Sequence, residues 1–382
     1  MEFLLSGVAA ITWQQLVMYG IGGLLIYLAI AKGFEPALLL PMGFGAILVN
    51  LPLSGVLNQT MEGVGDVNGI IQWLFETTIE SSEALPILLF IGIGAMIDFG
   101  PLLSNPKMFL FGGAAQFGIF FTILLAVLFN FDLNDAAAIG IIGAADGPTS
   151  ILVSQIMHSR YMGAIAVAAY SYMALVPIVQ PFAVRLVTTK KERLIRMEYN
   201  PASVTKITRI LFPIIVTMVS GLIAPQSVAL VGFLMFGNLI RECGCLGSLS
   251  DTAQNTLANL ITLLLGITIS FSMQAEAFVN AKTLLIMLLG LVAFVFDSVG
   301  GVLFAKFLNL FLKNKINPMI GAAGISAFPM SARVIQKMGL KEDPTNHLLM
   351  HAISANVAGQ IGSVVAGGVV INIVSQILKN MA

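Results

Sequence analysis

The sequence predicts an all-α polytopic membrane protein built from two inverted repeats, each carrying a broken or re-entrant helix. Three observations predict it. Of 382 residues, 57% are hydrophobic and only 10% charged, against about 25% charged in a soluble domain, so there is too little polar surface to face water all round. Apolar stretches long enough to cross a hydrocarbon core, about 20 residues, recur along the whole chain. Two further stretches, interrupted by proline, match each other at a fixed spacing.

The mean hydropathy is +0.93. The 37 glycines and 15 prolines fit membrane helices, where both are commoner than in soluble ones. Nineteen basic residues balance 19 acidic ones, which leaves no electrostatic footprint for nucleic acid. Cys243 and Cys245 stand one residue apart without a histidine cluster; they make a poor metal site and a poor disulfide and read as structural filler. Met1-Glu2-Phe3-Leu4-Leu5 lacks a basic leader, and no small-residue cleavage site ends a short apolar run, so the first apolar stretch is expected to be retained.

Ten spans are predicted in order: residues 13–31, 36–53, 85–103, 108–131, 161–187, 207–223, 226–240, 257–273, 284–312 and 348–378. Residues 136–157 and 318–338 are equally apolar but hold Gly-Pro or Phe-Pro in mid-run. Proline removes a helix hydrogen bond and clashes with the preceding turn, so these two read as discontinuous helices or re-entrant hairpins. Residues 58–83 are acidic through Glu62, Asp66, Glu76, Glu80 and Glu83, with no lysine or arginine. Within them Ile70-Ile71-Gln72-Trp73-Leu74-Phe75 suits an amphipathic helix lying at the outer interface. Lys190, Lys191, Arg193, Arg196, Lys206 and Arg209 outnumber Glu192 and Glu198, and a short basic loop marks the cytoplasmic side.

The internal repeat organises the chain. Gly140/Gly321, Gly143/Gly324, Pro148/Pro329, Ser150/Ser331, Val153/Val334, Gln155/Gln336 and Met157/Met338 are identical at one shift of 181 residues. Weaker echoes pair Phe44-Gly45 with Phe236-Gly237 and Gly92-Ile93 with Gly266-Ile267. Seven identities that include both prolines argue against chance similarity of two Gly/Ala-rich runs. The predicted units are a first membrane repeat over 13–187, a basic cytoplasmic linker over 188–206 and a second repeat over 207–380. An odd number of crossings per half would invert them. Paired Gly/Pro interruptions in two halves point to a transport site.

Asp146 sits at the first break with Gly147-Pro148 and the hydroxyls of Thr149 and Ser150. A carboxylate at mid-membrane costs about 2.5–3.5 kcal/mol on insertion scales and is tolerable if it binds a cation, carries a proton or meets a base. Hard cations take oxygen ligands, and carboxylate, hydroxyls and freed carbonyls form an all-oxygen set, so sodium or proton transport follows. The second half has Ala327 at the matching position. Its polar groups come later: Asn356, Gly359 and Ser363 share one helical face, either as neutral oxygen ligands or as a small-residue packing seam. Asp98 either ends a span or takes part in transport. Asp297 is a second cation ligand or a proton carrier. Arg333 is a counter-charge for Asp146 or snorkels to the surface. His158, His347 and His351 fall at span ends, where interfacial hydrogen bonding fits better than catalysis. Tyr172, in the span after the first break, either donates to the site or sits in the core.

Gly143-Ala144-Ala145-Asp146-Gly147-Pro148-Thr149-Ser150-Ile151 resembles the signature of the beta subunits of sodium-pumping biotin-dependent decarboxylases: the oxaloacetate, methylmalonyl-CoA and glutaconyl-CoA enzymes. The resemblance extends to the blocks at 42–52, 92–106, 300–306 and 356–363, nearly the whole chain. It implies a scaffold plus an elevator-like core. It also implies a subunit that decarboxylates carboxybiotin and exports sodium while consuming a proton. Asp146 and Tyr172 match residues implicated there in sodium and proton handling, and Asn356 and Ser363 match the same site. Carboxybiotin would come from a separate biotin carrier protein, since the chain has no Met-Lys-Met biotinylation motif. The implied partners are a carboxyltransferase alpha subunit, that carrier, a small membrane gamma/delta subunit and membrane lipid, with a homo-oligomer as a further option. The implied location is the bacterial inner (plasma) membrane. Asn372 stands where some relatives have an arginine, which puts a basic residue there in doubt. The competing readings are a stand-alone sodium-coupled transporter of an organic anion, and a non-transporting assembly subunit that would leave Asp146 unexplained.

Overall fold

The computed structural model describes residues 2–33, 36–61, 65–198 and 204–381. Glu62 of the acidic stretch and residues 199–203 of the linker lie outside the described residues. After a short helix α1 (Glu2–Ala9), α2 (Trp13–Lys32) opens on a capping box: Thr12 and Gln15 exchange backbone and side-chain hydrogen bonds. It closes on Gly33 in the left-handed conformation, a usual helix stop. Then α3 (Pro36–Val49) runs back along α2.

The acidic stretch holds a small antiparallel hairpin, β1 (Asn58–Met61) and β2 (Gly65–Asn68), which the sequence reading does not anticipate. It carries no apolar alternation, the signal from which strands are read. The helix expected over 70–75 is present as α4 (Ile70–Phe75), continued by a π-helical turn over Glu76–Glu80. Ile71, Phe75 and Ile79 are buried while Ile70 and Trp73 are exposed, an amphipathic division at helical spacing. A 67° bend leads into α5 (Ala84–Met96).

The predicted span 85–103 is interrupted. Helix α5 ends as Ile97 turns extended, and α6 (Gly100–Ser104) restarts with Pro101 in its first turn, where the missing N–H costs nothing. Next come α7 (Phe109–Ala114) and α8 (Phe117–Leu128), which with the preceding turn form one span over Pro106–Leu128. The first broken segment is α9 (Leu133–Gly140), a 3-10 turn over Ile141–Ala144 and α10 (Gly147–Ile156). Helix α11 (Met162–Val187) carries Pro177 and Pro181 and bends by 74°.

The linker contains α12 (Lys190–Arg193). It is followed by α13 (Lys206–Ile223), α14 (Val228–Glu242), α15 (Gly247–Asp251), α16 (Ala258–Ile269), α17 (Ala275–Phe278) and the long α18 (Ala281–Phe311). The second break separates α19 (Met319–Ala322) from α20 (Met330–Glu342), and α21 (Leu349–Met381) ends the chain. Among the described residues six helices are long and apolar enough to cross a membrane, or up to eight if each bent pair is one span. Their outward faces carry bare apolar side chains such as Leu24, Leu124, Leu222 and Leu310, as lipid contact requires.

The segments paired by sequence make reciprocal contacts. Helix α5 packs on α14, while its echo α16 packs on α3, the echo of α14. A Cβ on Gly237 of α14 would strike the Ile91 carbonyl of α5; one on Gly45 of α3 would meet the Ile267 carbonyl of α16 and Ser270 just beyond it. Likewise α18 covers the first break and α7 the second: Gly143 lies against Ala293 and Asp297, and Gly324 against Phe111 and Ala115.

Candidate functional site

Each break leaves backbone groups without intrahelical partners, and each half supplies what the other lacks. At the first break Ala145 takes a left-handed conformation (φ 52°) and Asp146 is extended (φ −126°, ψ 97°). A non-glycine residue there is strained by about 1–3 kcal/mol. Asp146 is the N-cap of α10: its Oδ1 accepts from Thr149 N at 3.3 Å and its Oδ2 from Thr149 Oγ1 at 2.7 Å. The positive end of the α10 dipole favours the negative charge placed there. From α21, Ser363 Oγ donates to Asp146 Oδ2 at 2.9 Å and Gln360 Nε2 at 3.4 Å. Ser150 Oγ donates to the Asp146 carbonyl at 2.8 Å.

All five residues are buried: Asp146, Thr149, Ser150, Gln360 and Ser363 are each at most 3% exposed. Thr149, Gln360 and Ser363, the hydrogen-bond partners of the carboxylate, are all neutral, and among the described residues none of the ion pairs involves Asp146. The cluster presents hydroxyl and carboxylate oxygens to one point.

The second break is the neutral counterpart. Ser331, at the position of Ser150, shares with the Ala322 carbonyl the amide of Gln180, which reaches across from α11 at 2.5 and 2.7 Å. Ser326 N donates to the Ala144 carbonyl at 3.0 Å, which ties the two breaks together, and Ser326 Oγ donates to the Gly359 carbonyl at 3.0 Å. Asn356 Nδ2 donates to the Ile325 carbonyl at 2.6 Å, and its Oδ1 is buried without a hydrogen-bond partner among the described residues.

Of the residues singled out in the sequence, Asp146, Thr149 and Ser363 meet directly, and Ser150 joins through the Asp146 carbonyl. Asn356 belongs to the second break, about two helical turns along α21 from Ser363. The Tyr172 phenol donates to the Met287 carbonyl of α18 and lies away from Asp146, beside an apolar cavity of about 630 Å³. Tyr170 instead stacks on the break, its ring filling the space a Cβ on Gly147 would need, with its hydroxyl buried and without a hydrogen-bond partner among the described residues. Asp297 is fully buried and caps α8 across the helix interface, accepting from Gly118 N at 2.5 Å and Ile119 N at 3.2 Å. Asp98 accepts from Gly100 N at 2.8 Å and faces Arg209 at 3.6 Å. Arg333, His158 and His347 are exposed, and His351 is buried. Asn372 accepts from Gln376 at 3.2 Å.

Sequence reasoning passed over Gln360 and Gln180. Gln360 was findable, since it follows Asn356 by four residues and precedes Ser363 by three, on one face of α21. Gln180 gives no local signal; only the crossing of α11 over the second break discloses it.

Residues 14–374 match the family described as Na+-transporting oxaloacetate decarboxylase beta subunit. The chain belongs to that family. It is 48% identical over 370 residues to the glutaconyl-CoA decarboxylase subunit beta of Acidaminococcus fermentans, covering 97% of this chain and 96% of that one. It is 47% identical over 385 residues to the methylmalonyl-CoA decarboxylase subunit beta of Propionigenium modestum, covering 96% and 97%. It is 43% identical over 421 residues to the probable oxaloacetate decarboxylase beta chain of Vibrio cholerae, covering 96% and 97%. As a decarboxylase beta subunit it is a multi-pass bacterial membrane protein of the sodium-transporting decarboxylase type, one component of a complex of several subunits.

Proposed function

We propose that this subunit decarboxylates carboxybiotin and uses the reaction to export sodium, with Asp146 as the group that holds the ion. The observation that carries this reading is a fully buried carboxylate at a helix break, ringed by hydroxyls and bonded to no basic group. Left ionised and bare in low dielectric it is costly. Sodium or a proton relieves that cost equally in charge, so exchange of one for the other keeps the site neutral while it moves. Decarboxylation supplies the sink: the N-carboxylate leaves as CO2, the C–N bonding electrons return to the biotin ring nitrogen, and a proton adds there. Thr149 and Ser363 are the neutral ligands, with Ser150 holding the Asp146 backbone in place. The proton path includes Tyr172 if the core moves relative to α18, because its phenol is held by Met287 here.

The domain reading has two inverted repeats, 13–187 and 207–380, joined by a cytoplasmic linker. The reciprocal α5–α14 and α16–α3 contacts support it, as does the gathering of basic residues on the linker face. Biotin would arrive on a carrier protein at that face, charged by a carboxyltransferase alpha subunit, with a small gamma/delta subunit beside the membrane domain. The acid is an acyl-CoA on this reading: identity is higher to the acyl-CoA relatives, and their alignments run 370 and 385 residues against 421 for the oxaloacetate relative.

The test is CO2 release from carboxybiotin by the purified complex in liposomes, with and without sodium, for wild type and Asp146→Asn. Release that sodium stimulates in wild type and that collapses in the variant supports coupling at Asp146. Sodium flux that persists with no biotin partner makes this an ordinary transporter.

A further inference from the structure

The only two cysteines of the chain are assigned no role by the sequence reading, yet the fold brings them face to face. Cys243 follows the last turn of α14, and Gly244 takes a left-handed conformation at φ +75°, a backbone turn that glycine enters without strain. That turn swings Cys245 back so that its Sγ lies 3.6 Å from Cys243 Sγ, within thiol hydrogen-bonding distance. The pair lies at the surface, with Cys245 exposed and Cys243 partly so. The amine of Lys206 stands beside Gly244, 3.2 Å from where a Cβ would be. The Cys245 backbone N–H, together with its thiol, holds the Cys243 thiol below the usual thiol range.

We propose that Cys243-Gly244-Cys245 is a redox-active dithiol on the linker face of the membrane, open to small-molecule disulfides of the glutathione type. Thiol–disulfide exchange proceeds through thiolate attack and a mixed disulfide. Cys243 Sγ attacks one sulfur of the oxidant, whose S–S bond breaks and releases one thiolate. Cys245 Sγ then attacks Cys243 Sγ, expels the second thiolate and closes the internal bond. Two protons and two electrons have left the pair, and the oxidant has become two thiols. A disulfide across one residue, on an exposed turn, is of the labile kind that the cytosolic thiol pool re-reduces. Its place next to Glu242, which with Asp98 holds Arg209 at 3.5 and 3.6 Å, puts the modification at the junction of α5, α13 and α14.

The experiment uses the full chain in detergent, equilibrated in oxidised or reduced glutathione, acid-quenched, alkylated with N-ethylmaleimide and weighed intact. With only two cysteines, every lost thiol is assigned. Reduced wild type is expected to take two maleimides. Oxidised wild type is expected to take none, to weigh two hydrogens less and to carry no glutathione. Cys243→Ser and Cys245→Ser, oxidised, are each expected to carry one glutathione. Phenylarsine oxide is expected to bind once per wild-type chain and to neither variant. Glutathione on both wild-type cysteines, a disulfide-linked dimer, or retention of both thiols where the single variants react would overturn the proposal.

Discussion

Asp146 is the residue on which the account rests, and its neighbours set measurable weights. Ser363→Ala removes a neutral oxygen ligand, so it should weaken sodium about 10-fold, a cost of about 1.4 kcal/mol, read as the sodium concentration for half-maximal decarboxylation, with maximal rate changed less. Gln360→Ala, at 3.4 Å from the carboxylate, should cost less than Ser363→Ala. On the linker face, Asp343 ends α20. The backbone N–H and hydroxyl of Thr345, with Arg196 beside them, hold its carboxyl down to about 2. Its ordinary value is about 3.9. A carboxyl depressed by folding stabilises the fold above its unfolded value and loses that contribution as pH falls through its folded one. The stability difference between wild type and Asp343→Asn should therefore be flat from neutral pH to about 4 and shrink towards about 2, as thermal melts in detergent would show.

At the scale of elements, the breaks decide what the helices can do. Gly147 starts α10 directly beneath the Tyr170 ring, so Gly147→Ala should displace that ring, cost about 1–3 kcal/mol by overpacking and abolish sodium-dependent turnover. In a Tyr170→Ala background Gly147→Ala should cost less than it does in wild type, measured as the change in melting midpoint, which separates crowding from backbone strain. Both breaks were legible in the sequence because proline and glycine interrupt otherwise apolar runs, and Asp146 was legible because a charge in such a run is costly. The β1–β2 hairpin was not, since Met61 and Val67 are isolated apolar residues among polar ones and make no alternation. Nor was the place of Tyr172: on α11 it and Tyr170 are two residues apart and point in different directions, and only packing against α18 or α10 tells them apart. The break at 97–99 carried its signal in Asp98-Phe99-Gly100-Pro101, but the apolar residues on either side read as one span.

At the scale of the molecule, the two breaks draw on helices distant in the chain: α11 sends Gln180 to the second break and α21 sends Ser363 and Gln360 to the first. Only the first break is charged, because Ala327 stands opposite Asp146 in the repeat. That asymmetry predicts one principal cation site. The most direct test is the sodium dependence of the melting temperature of the isolated chain in detergent, for wild type and Asp146→Asn, with potassium as control. A ligand at 100 times its dissociation constant stabilises by about 2.7 kcal/mol. The account predicts a sodium-specific rise in wild type that vanishes in Asp146→Asn; an equal rise in both proteins would place the ion elsewhere and contradict it.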